Sequence, residues 1–325
     1  MKRLLVSISL ATLLGALLSA SVIAQSYPTK SIRIIAPFPP GGTSDTIARI
    51  LGQKLTEAWK FQTIIDNRGG VAGSLGAAIA AKAPADGYTL LVGNVGPVAI
   101  NHNIYRNVGY DPLKDFAPIT LAVTAPQIVV VHPSVPAKTF KEFAALVKTH
   151  KGKINYGSSG PGSISHLSVE LYKRMTKTDM LHVPFKGSAL ITIALLSGEV
   201  DVVFSDMAVV LPHVQAGKLR ALAVTGAKRG ASVPGVPTFM EAGLPEFEFS
   251  GWIGIFAPGG TPRDLVHKIS ADFVKVLKMP DVLGRLPGWG YEPVGNTPEQ
   301  FAAKYHADIG FYTKIIRDAK VPLVD

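Results

Sequence analysis

Cysteine is absent from the 325-residue sequence. The chain therefore has no disulfide framework, no thiolate nucleophile and no cysteine that could carry a lipid anchor. A chain of this length nevertheless buries enough apolar surface to fold through hydrophobic cores alone. Acidic residues are also in the minority, and the formal net charge of +10 favours anionic partners.

The signatures of common enzymes are missing as well. No GxxxxGK[ST] phosphate loop occurs, and Ser165 stands where a dinucleotide fingerprint beginning at Gly160 needs its third glycine. A GxSxG nucleophile elbow that began at Gly157 would need a glycine at position 161, where the sequence has Pro161. No HExxH motif occurs, and the eight histidines show no metal-ligand spacing. We therefore expect no catalysis, no cofactor and no metal site.

A long apolar run occurs only at the N-terminus. Residues 4–24 follow the basic pair Lys2 and Arg3, contain no charge and end at Ala24 before a polar stretch. This is the pattern of a secretory signal peptide with a small-residue cleavage site. The alternative is an uncleaved membrane anchor, because the run is nearly long enough to cross a bilayer. We interpret 1–24 as a signal peptide and expect a soluble mature protein in the periplasm.

Basic residues are scattered over the rest of the chain. Without Lys2 and Arg3 the formal charge is +8, since 31 basic residues then face 23 acidic ones. The densest groups, 148–153 and 173–177, fall at predicted helix ends, where cations complement the helix dipole. No aromatic-basic motif accompanies them, so we interpret them as solvated surface rather than a nucleic-acid interface.

Beyond residue 27, short β-branched runs alternate with helical periodicity. Strands are predicted over 31–36, 88–92, 128–131, 154–157, 200–204, 221–224 and 251–257, and helices over 45–59, 139–148, 163–173, 189–196 and 262–278. Such alternation predicts an α/β fold with helices on both faces of parallel sheets. Segments 119–124 and 224–231 flank a self-contained βα block and are interpreted as two crossings between lobes. Lobe 1 is then 25–122 and 228–325, and lobe 2 is 123–227.

The first candidate binding turn joins a predicted strand to a predicted helix. It consists of Pro40, Gly41, Gly42, Thr43, Ser44 and Asp45. The glycines allow a sharp turn and close approach of a ligand, and the three polar residues after them can supply the helix N-cap. Such a turn presents unpaired N–H groups and the positive end of a helix dipole to an anion. Taken alone, the motif is that of a capped helix start.

A second turn of the same design lies in the other predicted lobe. Its candidate contacts are Ser158, Ser159, Gly160, Gly162 and Ser163, followed by His166. Two such turns, one from each lobe, could clamp a single solute, and serine hydroxyls beside backbone amides suit a carboxylate. His166 either hydrogen-bonds the ligand or packs against the following helix, and no motif partner makes it a catalytic base.

Three further candidates lie elsewhere in the chain, and two of them follow predicted strands. Asn94 comes after the 88–92 strand and Asp206 after the 200–204 strand, at the edge where open α/β sheets bind ligands. Asp206 either accepts a hydrogen bond from a ligand or caps the next helix. Phe185 is either an aromatic wall of the site or a core residue.

In the order and spacing of its motifs the chain resembles the Bug family, the periplasmic substrate-binding proteins of tripartite tricarboxylate transporters. The resemblance covers nearly all of the chain after the signal peptide. It rests on YP at 27–28, PGG at 40–42 with Asp45, ADGYTLL at 85–91, HVPFKG at 182–187, GEVD at 198–201, GWIG at 251–254 with AP at 257–258, and GNTPE at 295–299.

The resemblance implies a type II periplasmic binding protein, with two Rossmann-like lobes of parallel or mixed sheets that are joined by crossing strands and close by hinge motion. It implies a small carboxylate ligand held by the turns 40–45 and 158–163, often through waters, and delivery to inner-membrane transporter subunits. We expect a monomer. Phe185 stands where the family commonly has Tyr, and Ser205-Asp206 occupies a position that varies with the ligand. Dicarboxylates, tricarboxylates, aromatic acids and amino acids therefore all stay open.

Two other functions fit the same sequence. One is a periplasmic hydrolase or isomerase with His166 and Asp206 as acid–base residues, since a fold does not determine a function. The other is an accessory sensor that binds the same solute and contacts a histidine kinase.

The signal-peptide interpretation is tested by the mass of the secreted protein. We expect the periplasmic product to begin at Gln25, because the small residue Ala24 suits signal peptidase. Intact-mass spectrometry of the periplasmic fraction measures this directly. Recovery of the chain from membranes with residues 1–24 still attached would support the membrane anchor instead.

Overall fold

The computed structural model describes residues 27–185, 187–247 and 249–324, so the predicted signal peptide lies outside the described residues. The strands are β1 (Ile32–Ala36), β2 (Thr63–Asn67), β3 (Thr89–Asn94), β4 (Phe116–Val131), β5 (Asn155–Ser158), β6 (Leu181–Pro184), β7 (Val202–Asp206), β8 (Arg220–Val224), β9 (Ser250–Pro258) and β10 (Glu292–Pro293). The helices are α1 (Thr43–Trp59), α2 (Ser74–Ala81), α3 (Phe140–Thr149), α4 (Ile164–Thr176), α5 (Ser188–Ser197), α6 (Met207–Gln215), α7 (Arg263–Leu277), α8 (Pro280–Arg285) and α9 (Pro298–Asp318).

The predicted α/β fold is confirmed. Every predicted strand and helix coincides with an observed one. The sequence patterns missed the first part of β4, the short strands β2, β6 and β10, and the helices α2, α6, α8 and α9. Helix α6 contains Pro212, a residue that is disfavoured in a helix interior. Half of α2 is alanine and it contains a glycine, so its apolar periodicity is weak.

Two sheets share the long strand β4. In sheet 1 the order is β2-β1-β3-β9-β4-β10, with β1 parallel to β2 and β3, and β9 antiparallel to β3 and β4. In sheet 2 the order is β8-β4-β7-β5-β6, with β5 parallel to both β6 and β7. The mixed sheets agree with the predicted fold class.

The change from sheet 1 to sheet 2 falls between two adjacent residues of β4. Pro126 pairs with Ser250 of β9, whereas Gln127 pairs with Asp206 of β7. Gln127 also makes two hydrogen bonds with Thr225: its N–H donates to the side-chain Oγ1 of Thr225 (2.8 Å), and its carbonyl accepts from Thr225 N–H (2.9 Å). Phe249 N–H in turn donates to the Thr225 carbonyl (3.1 Å). The outgoing and returning chains are therefore hydrogen-bonded at the crossing.

Segment 226–249 packs on the sheet 2 side of the molecule. Phe239 contacts the rings of Phe140, Tyr172 and Phe204, and it stacks on Phe247 with centroids 4.2 Å apart. The division into lobe 1 (25–122 and 228–325) and lobe 2 (123–227) stays a prediction. These aromatic contacts favour a second boundary near residue 249 rather than at 227–228, because Phe239 and Phe247 are buried on the sheet 2 side.

The packing of sheet 1 against α9 is tested at Gly254. A methyl group there would overlap the ring of Phe301, which is fully buried. We expect Gly254→Ala to lower the free energy of unfolding by about 1–3 kcal/mol, the usual effect of overpacking a core. Urea denaturation measures the change.

Gly284→Ala is the matched control. Gly284 lies exposed in α8 with open space around its Cα, so a methyl group there should leave the stability unchanged or raise it by about 0.5–1 kcal/mol. Equal losses in both variants would show that the contact with Phe301 is not the cause.

Candidate functional site

The candidate site lies at the carboxyl ends of two pairs of parallel strands, beside the crossing in β4. One pair is in sheet 1 and the other is in sheet 2. β1 leads into the turn 40–45, β3 ends at Asn94, β5 leads into the turn 158–163, and β7 ends at Asp206. The first two belong to sheet 1 and the last two to sheet 2. The chain thus brings the predicted residues to the junction of the two sheets, as the rule for open α/β sheets requires.

The turn 40–45 is held by an aspartate rather than by an N-cap side chain. Gly42 is the N-cap of α1 and receives no side-chain hydrogen bond, so the prediction that Thr43, Ser44 or Asp45 supplies the N-cap was wrong. These three residues are the first residues of the helix, and Asp45 accepts a hydrogen bond from Gly41 N–H (2.9 Å). Gly41 has φ +83°, a conformation that favours glycine.

Asp45 is the centre of a buried network. Its carboxylate also accepts from Arg49 Nε (3.0 Å) and Asn67 Nδ2 (3.0 Å), and the residue is 3% exposed. Burial alone would raise the pKa of Asp45, but the hydrogen bonds from Arg49, Gly41 and Asn67 lower it below its ordinary value. The carboxylate is therefore charged, and its charge is already compensated within the turn.

Three buried polar atoms at this junction have no hydrogen-bond partner among the described residues. They are Ser44 Oγ, Asn94 Oδ1 and Gln127 Oε1. Leaving a polar atom buried without a partner costs about 1–3 kcal/mol. Two of the three, Ser44 and Asn94, belong to residues predicted to bind a ligand.

The turn 158–163 satisfies most of its own amides. Ser159 N–H donates to Ser165 Oγ (3.0 Å), Gly160 N–H to Ser158 Oγ (3.2 Å) and Gly162 N–H to His166 Nδ1 (2.9 Å). Ser163 is the N-cap of α4. Since the first amides of a helix have no partner inside it, the backbone donors left for a ligand are those of Ile164 and Ser165.

Gly162 also marks a contact between the sheet 1 and sheet 2 sides. Its φ is +72°, and a methyl group at this position would overlap the side chain of Ile104. A second contact of this kind joins Met207, the first residue of α6, to Gly290. Ser232 Oγ donates to the Pro287 carbonyl (2.5 Å) nearby. The two sides are therefore closely apposed around the site.

His166 packs beneath the turn 158–163 and is hydrogen-bonded to it. It is 6% exposed, and its ring stacks on His182 with centroids 4.2 Å apart, while His182 stacks on Tyr156. His182 Nε2 lies 2.6 Å from Ser158 Oγ. Burial, and then the neighbouring His182, lower the pKa of His166 to about 4. His166 is thus placed as a packed, neutral histidine whose Nδ1 accepts from Gly162, and direct contact with a ligand stays a prediction.

Asp206 does not cap the helix that it precedes. It occupies the N-cap position of α6, but its side chain makes no capping hydrogen bond, so the capping alternative was wrong. Its carboxylate lines a small cavity that is otherwise formed by Gln127, Ser159, Ile164, Ser165, Ser188, Ile191 and Ser205. Burial raises the pKa of Asp206 above its ordinary value.

Phe185 lies beside the second turn. Its N–H donates to the Ser158 carbonyl (2.8 Å), and its half-buried ring packs against the apolar cluster of α5 and α6. The position is compatible with both predicted roles, as an edge of the site and as part of the core.

Several site residues escaped the sequence interpretation. They are Gln127, Ile164, Ser165, Ser188, Ile191 and Tyr291, whereas Ser205 was noted together with Asp206. Tyr291 lies close enough to Thr43 and Asp206 for both to affect its pKa, which burial raises. Gln127 did carry a signal, because it is a polar residue inside an otherwise apolar strand. The others have none that a single sequence shows.

The fold and the paired turns define a two-sided α/β binding protein, and comparison with known proteins names the family. Residues 47–319 match the model of the tripartite tricarboxylate transporter family receptor. The chain belongs to this family, which is a class of substrate-binding receptors. The Bug-type resemblance noted in the sequence is confirmed by Protein BugT of Bordetella pertussis, which is 32% identical over 94% of this chain and 94% of BugT.

Two solved structures extend the similarity to the whole fold. A protein of R. palustris with adipate is 34% identical with a TM-score of 0.84, covering 92% of this chain and 100% of that one. MatC from Rhodopseudomonas palustris with bound malate is 32% identical with a TM-score of 0.78, covering 89% and 100%. Among the described residues, no helix has the length and apolar character that a membrane crossing demands.

The buried histidine predicts a pH dependence of stability. The pKa of His166 in the folded protein is about 4, below the ordinary 6.5, so the unfolded chain takes up a proton first as the pH falls. We expect the free energy of unfolding to decrease by about 1–3 kcal/mol between pH 6.5 and pH 4. His166→Asn keeps an acceptor but removes the titration, and should flatten this decrease in urea melts.

His150→Asn is the matched control, since His150 is exposed at the end of α3. This variant should keep the slope of the wild-type protein. Parallel pH profiles for wild type and His166→Asn would contradict the assignment.

Proposed function

We propose that this protein is a periplasmic solute receptor that binds a small carboxylate-bearing compound between the turns 40–45 and 158–163 and delivers it to a tripartite tricarboxylate transporter. The observation that carries the proposal is the pair of strand-to-helix turns on opposite sides of the β4 crossing. The contacts that we propose are Pro40, Gly41, Gly42, Thr43, Ser44, Asp45, Asn94, Ser158, Ser159, Gly160, Gly162, Ser163, His166, Phe185 and Asp206.

A carboxylate suits the two helix ends. α1 has 17 residues and α4 has 13, and each begins at one of the turns. The positive ends of both helix dipoles and their free first-turn amides can then act on one anion. Asp45 does not oppose this, because Arg49 and Asn67 compensate its charge. The relatives solved with adipate and with malate support the same ligand class.

Binding would require the two sides to separate and close again. The side chains of Ile104 and Met207 lie directly against Gly162 and Gly290, so the two sides are in contact on both flanks of the proposed site. We propose that the hinge lies at Pro126, Thr225 and Phe249, so that 27–126 with 250–324 moves against 127–249. A closed monomer would then present one composite surface to the membrane subunits.

We propose no catalytic step. An acid–base pair of His166 and Asp206 would need the imidazole free at the site, whereas His166 Nδ1 accepts from Gly162 N–H and its other nitrogen lies 4.0 Å from Glu170. An accessory sensor would bind its solute in the same way, and co-purification with transporter subunits distinguishes the two roles.

Ligand binding is tested on mature protein that has been unfolded, stripped of bound solute and refolded. In a thermal-shift screen of mono-, di- and tricarboxylates, aromatic acids and amino acids, a true ligand should raise Tm in proportion to the logarithm of its concentration. At 100 times Kd the gain in stability is about 2.7 kcal/mol. If no acid in the screen raises Tm at saturating concentration, the carboxylate assignment fails.

Ser44→Ala tests the turn 40–45. Ser44 Oγ has no partner in the described protein, so its removal should leave the stability intact while lowering ligand affinity about tenfold, the loss of one hydrogen bond. Thr63→Val is the matched control, because Thr63 Oγ1 is also buried without a described partner but lies on β2, away from the junction. Unchanged affinity in Ser44→Ala would place the ligand elsewhere.

A further inference from the structure

Three nearly parallel rings, here called the ring stack, lie beneath the turn 158–163. Tyr156 comes from β5, His182 from β6 and His166 from α4. The ring of His182 stacks on Tyr156 with centroids 4.8 Å apart and planes inclined by 14°, and on His166 with centroids 4.2 Å apart and planes inclined by 8°. Because three separate elements contribute one ring each, the contacts fix His182 relative to β5 and α4, the two elements that the turn joins.

His182 holds the beginning of the turn through a serine. His182 Nε2 lies 2.6 Å from Ser158 Oγ, the distance of a hydrogen bond. Burial lowers the pKa of His182, so at neutral pH its imidazole is uncharged, and either group can donate to the other. Ser158 Oγ in turn accepts from Gly160 N–H (3.2 Å). The side chain of His182 is thus joined to the backbone of the turn through one hydroxyl group.

The second histidine of the ring stack holds the far end of the turn. His166 Nδ1 accepts from Gly162 N–H (2.9 Å), and Ser163 Oγ donates to the Gly160 carbonyl (2.7 Å). Because the two histidines stack on each other, both ends of the turn are attached to one packed unit. Groups that are held in place before the ligand arrives lose less conformational entropy on binding.

The tyrosine of the ring stack is anchored to α4. Tyr156 Oη donates to the Glu170 carboxylate (2.7 Å), which also accepts from Lys173 Nζ (2.8 Å), and Lys173 pairs with Asp179 (3.3 Å). The charged groups beside the rings therefore compensate one another. The ring stack cannot shift without breaking these bonds, so it is a firm support for the turn.

We propose that His182 is a positioning residue of the ligand site: it touches no ligand, but its bond to Ser158 holds the turn 158–163 in the conformation that binds the solute. The inference rests on the proposed ligand binding at this turn. It also gives a role to the motif HVPFKG at 182–187, because Phe185 N–H donates to the Ser158 carbonyl (2.8 Å). Two residues of the motif thus bond to Ser158, one to its side chain and one to its backbone.

The test uses two substitutions that separate the bond from the ring stack, made in refolded, ligand-stripped protein. His182→Phe keeps a ring but loses the bond to Ser158, whereas His182→Gln keeps a hydrogen-bonding group near the place of Nε2 and loses the ring. We expect amide hydrogen exchange of the segment 158–163 to become about tenfold faster in His182→Phe, the effect of one lost hydrogen bond, and to stay within about threefold of wild type in His182→Gln. Hydrogen-exchange mass spectrometry measures this without a ligand.

Affinity should follow the same order. Malate and adipate, the acids present in the two solved relatives, are the probes for calorimetric titration. We expect Kd to rise about tenfold in His182→Phe and to stay within about threefold of wild type in His182→Gln. A residue that only stabilised the fold would instead accelerate exchange throughout sheet 2, and restoring the bond in His182→Gln would not restore affinity.

His132→Phe is the matched control. His132 Nδ1 also lies 2.7 Å from a serine hydroxyl, that of Ser134, but His132 follows the end of β4 that is farthest from the crossing. This variant should keep the wild-type exchange of 158–163 and the wild-type affinity. If His182→Phe does not fold, His182→Leu removes the same bond.

Exchange of 158–163 at the wild-type rate in His182→Phe would overturn the inference, and so would equal impairment of His182→Phe and His182→Gln. Neither result would affect the proposed function if the acids bind. Failure of both acids to bind the wild-type protein would count against the proposed function alone, because the exchange measurement still decides the role of His182.

Discussion

The structure depends on a single strand that belongs to two sheets. β4 leaves sheet 1 at Pro126 and enters sheet 2 at Gln127. Proline has no N–H to donate, so the ladder weakens at this residue, while the bonds between Gln127 and Thr225 hold the outgoing and returning chains together. Because β1, β3, β5 and β7 all end beside this crossing, it positions every element of the candidate site.

The chemistry of the site follows from which polar groups the protein satisfies by itself. Asp45 and His166 each accept a hydrogen bond from a glycine N–H of their own turn, so they help to hold the shape of the turns. Ser44, Asn94 and Gln127 have buried oxygens without described partners, and Asp206 has no described counter-charge. The groups without described partners thus include hydrogen-bond acceptors as well as first-turn helix amides, which are donors.

Membership of the family does not determine which ligand this chain binds. The relatives solved with adipate and malate share the fold and about a third of the residues, which supports the general role of a solute receptor. We propose that the ligand is selected by the side chains at the ends of β1, β3, β5 and β7, where the candidate site lies. A receptor can keep its fold while the side chains of its binding site change.

The sequence by itself determined the α/β alternation, the two strand-to-helix turns and most element positions, because apolar periodicity and glycine-rich turns are local signals. It also placed Asn94 and Asp206 at strand ends. Tertiary structure decided what these residues do: Asp45 binds back to Gly41, His166 stacks on His182, and Asp206 leaves its helix uncapped. Such contacts join residues distant in the chain or depend on which way a side chain turns. Tyr291 lies close to Thr43 and Asp206 only because the chain returns to sheet 1 after the crossing near residue 249.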